Sequence, residues 1–141
     1  MPAFRPLRFV LLLPFLALAA CSGSPLTPPE ANLRENRARW EARGFTAYRY
    51  TLSVNCFCGV ELVRPVEITV RDGAPLSVTY EDTGEPADRE RFSRFDTVGE
   101  LFDVLDAAFD EGAASVSAEY DAEFGYPRQV FMRSWGGAWR R

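Results

Sequence analysis

Residues 66–80 read VEITVRDGAPLSVTY. Val66, Ile68 and Val70 alternate with polar partners, as expected of a half-buried strand. Asp72-Gly73 is a tight hairpin signal, and Leu76, Val78 and Tyr80 mark the returning strand. The first strand is expected over residues 62–71, with Pro65 pushing its start toward an edge or bulge. Upstream, residues 47–58 (AYRYTLSVNCFC) alternate as well. Tyr48, Tyr50, Leu52, Val54, Cys56 and Cys58 share one face and Arg49, Thr51, Ser53 and Asn55 the other, which predicts a strand over the whole stretch.

Helical spacing flanks these strands. Thr97-Val98-Gly99-Glu100 has the form of a capping box. Behind it Val98, Leu101, Phe102, Leu105, Ala108 and Phe109 form one apolar face, with Gly112 as the stop. An earlier helix is expected over residues 30–43, with Thr27 as cap and Gly44 as stop. Its stripe is thin, chiefly Leu33 and Trp40, which predicts a helix on the outside of the fold. Residues 81–96 are polar and read as a long loop. Strands are expected over 114–120, with Val116, Ala118 and Tyr120 inward, and over 129–135, with Val130 and Met132 inward. The order α-β-β-β-α-β-β implies an α+β fold: an antiparallel sheet of about five strands with the N-terminal helix and one amphipathic helix packed on one face.

The amino terminus carries an export pattern. Arg5 and Arg8 precede the apolar run FVLLLPFLALAA (9–20), which is too short to span a bilayer and suits a signal peptide. Leu18-Ala19-Ala20-Cys21 resembles the lipobox of bacterial lipoproteins, in which cleavage leaves a lipidated cysteine first. Ordinary cleavage near residues 17–19, releasing a soluble protein, and an uncleaved anchor are the alternatives. The division that follows is residues 1–20 signal peptide, 21–29 lipidated Cys21 and flexible tether (SGSPLTPP), and 30–141 a single domain. Two or more acyl chains, of the palmitate type that such lipoproteins carry, make a stable anchor. Ser22 stands where Asp would signal inner-membrane retention in the lipoproteins this segment resembles. An outer-membrane lipoprotein facing the periplasm of the cell envelope is therefore expected.

Composition removes much chemistry. The 141 residues hold no His, and all 16 basic residues are Arg, against 20 acidic residues. Imidazole bases, His-ligated zinc and lysine nucleophiles are thereby absent. Loss of residues 1–20 takes Arg5 and Arg8 and no acid, moving the formal charge from −4 to −6. An acidic domain of this kind is a poor match for nucleic acid.

Trp40, Tyr48-Arg49-Tyr50, Cys56-Phe57-Cys58, Val70-Arg71-Asp72-Gly73, Leu101-Phe102, Glu119-Tyr120-Asp121 and Phe124-Gly125-Tyr126-Pro127 together resemble the bacterial domain-of-unknown-function 6174 family. Its members are typically small predicted lipoproteins, and the resemblance spans residues 39–132. It implies no activity. The acidic segment with which that family commonly ends is replaced here by SWGGAWRR.

Cys56 and Cys58 are the sharpest chemical feature. In an exported protein with Cys21 lipidated they form an even pair, a disulfide candidate. Two residues along an ideal strand lie about 6.6 Å apart, near the upper limit for a bridge, so a local bend at Gly59 would be required. A structural bridge, a redox-active dithiol and free or metal-bound thiols are the readings available. Two thiolates without His make a poor zinc site, and no motif calls for a metal or cofactor. Glu81, Asp82, Glu85 and Asp88 cluster in one loop, and Asp121 and Glu123 in another, with neither matching a calcium loop. Trp135 and Trp139 with Arg133, Arg140 and Arg141 form an aromatic-basic tail, suited to anionic headgroups or an acidic partner or else simply a terminus. The expectation is a non-catalytic binding or structural module with an envelope protein, glycan or lipid partner. The alternative is thiol-redox or thiol-sensing through Cys56 and Cys58, and an enzyme built on carboxylates alone stays open.

Overall fold

The computed structural model describes residues 26–57 and 59–133. The signal segment, Cys21, Cys58, Trp135, Trp139, Arg140 and Arg141 lie outside the described residues. Nine elements follow in order: α1 (Pro28–Glu41), β1 (Tyr48–Leu52), α2 (Val60–Val63), β2 (Val66–Arg71), β3 (Ala74–Tyr80), α3 (Arg89–Phe92), α4 (Val98–Asp110), β4 (Ser115–Tyr120) and β5 (Pro127–Arg133). The class is α+β with five antiparallel strands, divided between a three-stranded sheet, β1-β2-β3, and a two-stranded sheet, β4-β5.

The hairpin behaves as its residues demand. Asp72 and Gly73 take φ of 54° and 74°, positive at both central positions of a two-residue turn, the geometry that matches strand twist. Val66, Ile68 and Val70 are fully buried, and Val78 and Tyr80 join them in the core. Leu76 does not follow the alternation. Thr69 faces Ser77 while Val70 faces Pro75, so Leu76 is the extra residue of a bulge and is left 52% exposed.

The first strand is shorter than its alternation suggests. Leu52 pairs with Val66, so the next pair would set Ser53 against Pro65, which has no N–H to donate to the ladder. The chain leaves the sheet there, residues 60–63 form the short α2, and Cys56 is exposed instead of lying on the strand's inner face.

Helix α4 is capped as expected, Thr97 Oγ1 accepting the Glu100 N–H at 3.1 Å. It buries Val98, Phe102, Leu105 and Ala108. Helix α1 departs from its predicted place outside. Leu33 is 1% exposed and packs with Val98, Phe102 and Leu105, with Trp40 against the same cluster, so the thin stripe seats the helix against α4 and β4. Asn36 is buried beside it with its amide donating to Asn32 O (2.9 Å) and its carbonyl accepting from Arg39 (3.1 Å). Arg37 ties the helices together, reaching Asp103 and Asp106 at 2.7 Å each.

The expected loop over residues 81–96 carries structure. It holds α3, whose Phe92 is fully buried against β2 and β3. On β5, Met132 turns inward as expected. Val130, opposite Ala118, remains 38% exposed. Two clusters result, one beneath the three-stranded sheet and one between α1, α4 and β4–β5. Tyr48 and Tyr50 touch both.

Candidate functional site

A groove of about 530 Å³ opens where these clusters meet. Three separate segments build it. The last turn of α1 supplies Trp40, and Gly44, at φ 63°, turns the chain so that Phe45 follows. In the same segment residues 47–51 run along one wall. Val98 and Leu101 of α4 line it from below, and Phe124, Tyr126, Pro127 and Arg128 close the far side.

The far wall is fixed by its own backbone. The Asp121 carboxylate accepts the N–H groups of Phe124 (2.8 Å) and Glu123 (3.0 Å), which draws its pKa below the usual carboxylate value. Asp121 N–H donates to Tyr126 O at 2.9 Å, and Gly125 N–H to Asp121 O at 2.9 Å. Gly125 has φ 85°, and a Cβ there would stand 2.5 Å from the Asn36 carbonyl oxygen, so only glycine lets this loop rest on α1. Arg43 adds a hydrogen bond to Glu123 O at 2.8 Å and lies 5.4 Å over the Phe124 ring.

The rings interlock. Trp40 meets Phe45 at 5.3 Å and 53°, Tyr48 at 5.1 Å and 88°, and Tyr126 at 6.1 Å and 77°. Phe45 meets Phe124 at 5.6 Å and 72°. The two β1 tyrosines are anchored by their hydroxyls. Tyr50 donates to the Phe95 carbonyl, and Tyr48 accepts the N–H of Val98, the first residue of α4, which has no intrahelical partner. Burial raises both phenol pKa values, Tyr50 far more than Tyr48. Both phenols therefore stay protonated at ordinary pH. Asp96, buried nearby, is also pushed up by desolvation, with Arg89 opposing.

The residues singled out in the sequence fall elsewhere. Cys56 lies in the exposed bend after β1 and is not a free thiol, while Cys21 and Cys58 lie outside the described residues. The acids of the two loops have local duties: Asp82 meets Arg64 at 2.6 Å, and Asp88 caps α3 through the Glu90 N–H at 3.1 Å. Among the described residues no group of three or more acids or cysteines is placed to hold a metal ion. No helix among them is long and apolar enough to cross a membrane. The groove escaped sequence reading because it joins residues 40–51, 98–101 and 124–128. The available signal was the aromatic punctuation of turns, Phe45 after Gly44 and Phe124 and Tyr126 around Gly125.

Several of these residues are those on which the family resemblance rests, and the family model for DUF6174, a family of unknown function, matches residues 32–134. The chain belongs to DUF6174. The matched span takes in Trp40, the groove strand and the Phe124–Pro127 loop, so the whole groove lies within the DUF6174 region. No curated protein and no solved structure matches the chain.

Proposed function

We propose that this DUF6174 protein is the domain of a bacterial lipoprotein, anchored through Cys21 on the periplasmic side of the outer membrane, and that it is a non-catalytic binding module whose binding site is the aromatic groove. The observation that carries the binding reading is the groove itself. It has about 530 Å³ of open space, six aromatic side chains on its walls and two arginines, at the place where the two cores meet. The lipobox-like Leu18–Cys21 supports the anchor.

Two measurements test this. Replacing Cys21 with Ser should abolish acyl labelling and release the chain from membranes; unchanged retention overturns the anchor. A photo-crosslinking residue at Phe45, in the groove, should capture a specific partner in cells, whereas one at Leu76, exposed on the hairpin away from it, should not. Equal capture at both positions, or none at Phe45, overturns the groove as the binding site.

Thiol-redox or thiol-sensing chemistry at Cys56 and Cys58 is the second reading. Its support is that Cys56 is a disulfide cysteine in an exposed bend. A bridge to Cys58 would close a small ring, and strained or exposed bridges are the ones readily reduced. Alkylation with intact-mass measurement decides it: rapid, reversible reduction by mild thiols supports redox cycling, and persistence of the bridge makes it structural.

A further inference from the structure

We infer that the groove takes an extended, acidic polypeptide segment of a partner protein, added as a strand along the free edge of β1; this rests on the groove being the binding site proposed above. The first support is which residues line it. Side chains alternate between the faces of a strand, so a hollow over one face is lined by every second residue. Here residues 47, 48, 49, 50 and 51 all line the groove. Its wall is therefore the strand's edge, where backbone N–H and C=O groups project.

The second support is the state of that edge. The sheet order is β1-β2-β3, and among the described residues no strand pairs with the outer side of β1. The opposite edge is closed over Val78–Tyr80. Thr79 bridges Pro86, Ala87 N–H donates to Val78 O at 2.9 Å, and Tyr80 N–H donates to Glu85 O at 2.9 Å. Proteins cover, bend or charge their edge strands unless pairing is wanted.

Ring geometry and charge select the occupant. Trp40 meets Tyr48 and Tyr126, and Phe45 meets Phe124, edge to face at 72° to 88°, while Trp40–Phe45 (53°) and Tyr48–Tyr50 (32°) are tilted, so the rings are engaged with one another. They form an apolar wall for side chains and not the flat exposed platform on which a sugar ring stacks. Arg49 and Arg128 line the groove and no Asp or Glu does, on a chain with 20 acidic residues. Arg49 meets Glu67 at 3.3 Å, an exposed pair worth little, so its exchange for an incoming carboxylate costs little. The chain's own terminal segment, with Arg133, Arg140 and Arg141, has the wrong sign for this site.

The full chain in detergent, panned against a displayed library of random octapeptides, tests the inference. Winners should place apolar residues at alternate positions with Asp or Glu between them, and a synthetic winner should slow amide exchange along β1. Methylating its alternate backbone N–H groups should weaken binding about tenfold or more, and Arg128→Glu should turn the selection toward basic peptides. Winners unaffected by N-methylation, or protecting amides elsewhere, overturn strand addition. Winners without an acidic preference overturn the charge assignment. Concentration-dependent protection of β1 in the protein alone would make a second copy the occupant and overturn the partner. If no peptide is enriched while Phe45 still crosslinks specifically, the inference fails and the groove stands; if both fail, both readings fall.

Discussion

Along β3 the chain doubles back. Residues 85–87 bond to its outer edge at Val78–Tyr80, and the fully buried Phe92 pins the return. Along β1, at the other side of the same sheet, no described strand does this, and the edge faces an aromatic groove. Both strands read as ordinary half-buried strands, so their own residues do not account for the difference. It comes from what the neighbouring loops do: one loop folds onto the sheet, whereas the loop over residues 121–127 is held against α1 by Gly125 and stands off from β1. A free edge in a protein that closes the other one teaches where to look for a partner.

The largest effect is expected where the closed edge is pinned. Phe92→Ala removes a fully buried ring and should cost about 3–5 kcal/mol in denaturant unfolding. If the closed edge depends on Phe92, amide exchange at Tyr80 and Ala87 should quicken more than the global loss explains. On the open side, Gly125→Ala combines a positive φ with a 2.5 Å contact to the Asn36 carbonyl, and about 3 kcal/mol should be lost. Its ring signals, Tyr126 above all, should shift while those of Tyr80 stay in place.

Tyr48→Phe is smaller. It deletes the acceptor for the Val98 N–H at 3.1 Å and should cost about 1 kcal/mol by equilibrium unfolding, leaving the hairpin unchanged. The smallest effect is a pH slope. Burial raises the Asp96 pKa in the folded state, so the native protein holds that proton more tightly than the unfolded chain. Stability should then fall as pH rises from the unfolded value, about 3.9, through the raised folded value, and Asp96→Asn should flatten that fall. Asp121 has the opposite sign: backbone N–H bonds depress its pKa, and its stabilisation is present above the unfolded value and lost as pH falls through the lowered one.

Much of this fold is local and so could be read from neighbouring residues. Asp72-Gly73 fixes its turn, Thr97 its cap, and the faces of 66–70 and 98–109 follow from period alone. What was hidden depends on distant partners. Pro65 ends β1 only because it falls opposite Ser53, and Leu76 is exposed only because a bulge shifts its register. Phe92 sits in a polar run where a four-residue helix has no period to detect. Leu33 shows why a thin stripe misleads, since one fully buried leucine, with Trp40 on the same cluster and Arg37 paired to α4, docks α1. The groove lay furthest from sight, for its strand, helix and loop meet only in three dimensions. Trp40, Tyr48 and Phe124–Pro127 were visible as family features without any sign that they share a wall.

Residue-resolved hydrogen exchange on the full chain, without added partner, addresses the open edge most directly. The amides of β1 that do not pair with β2 should exchange at nearly unhindered rates, while those of Tyr80 and Ala87, bonded on the far side of the sheet, should be protected by local structure. Uniform strong protection along β1, equal to that of β2, would mean the edge is already paired and would contradict the account.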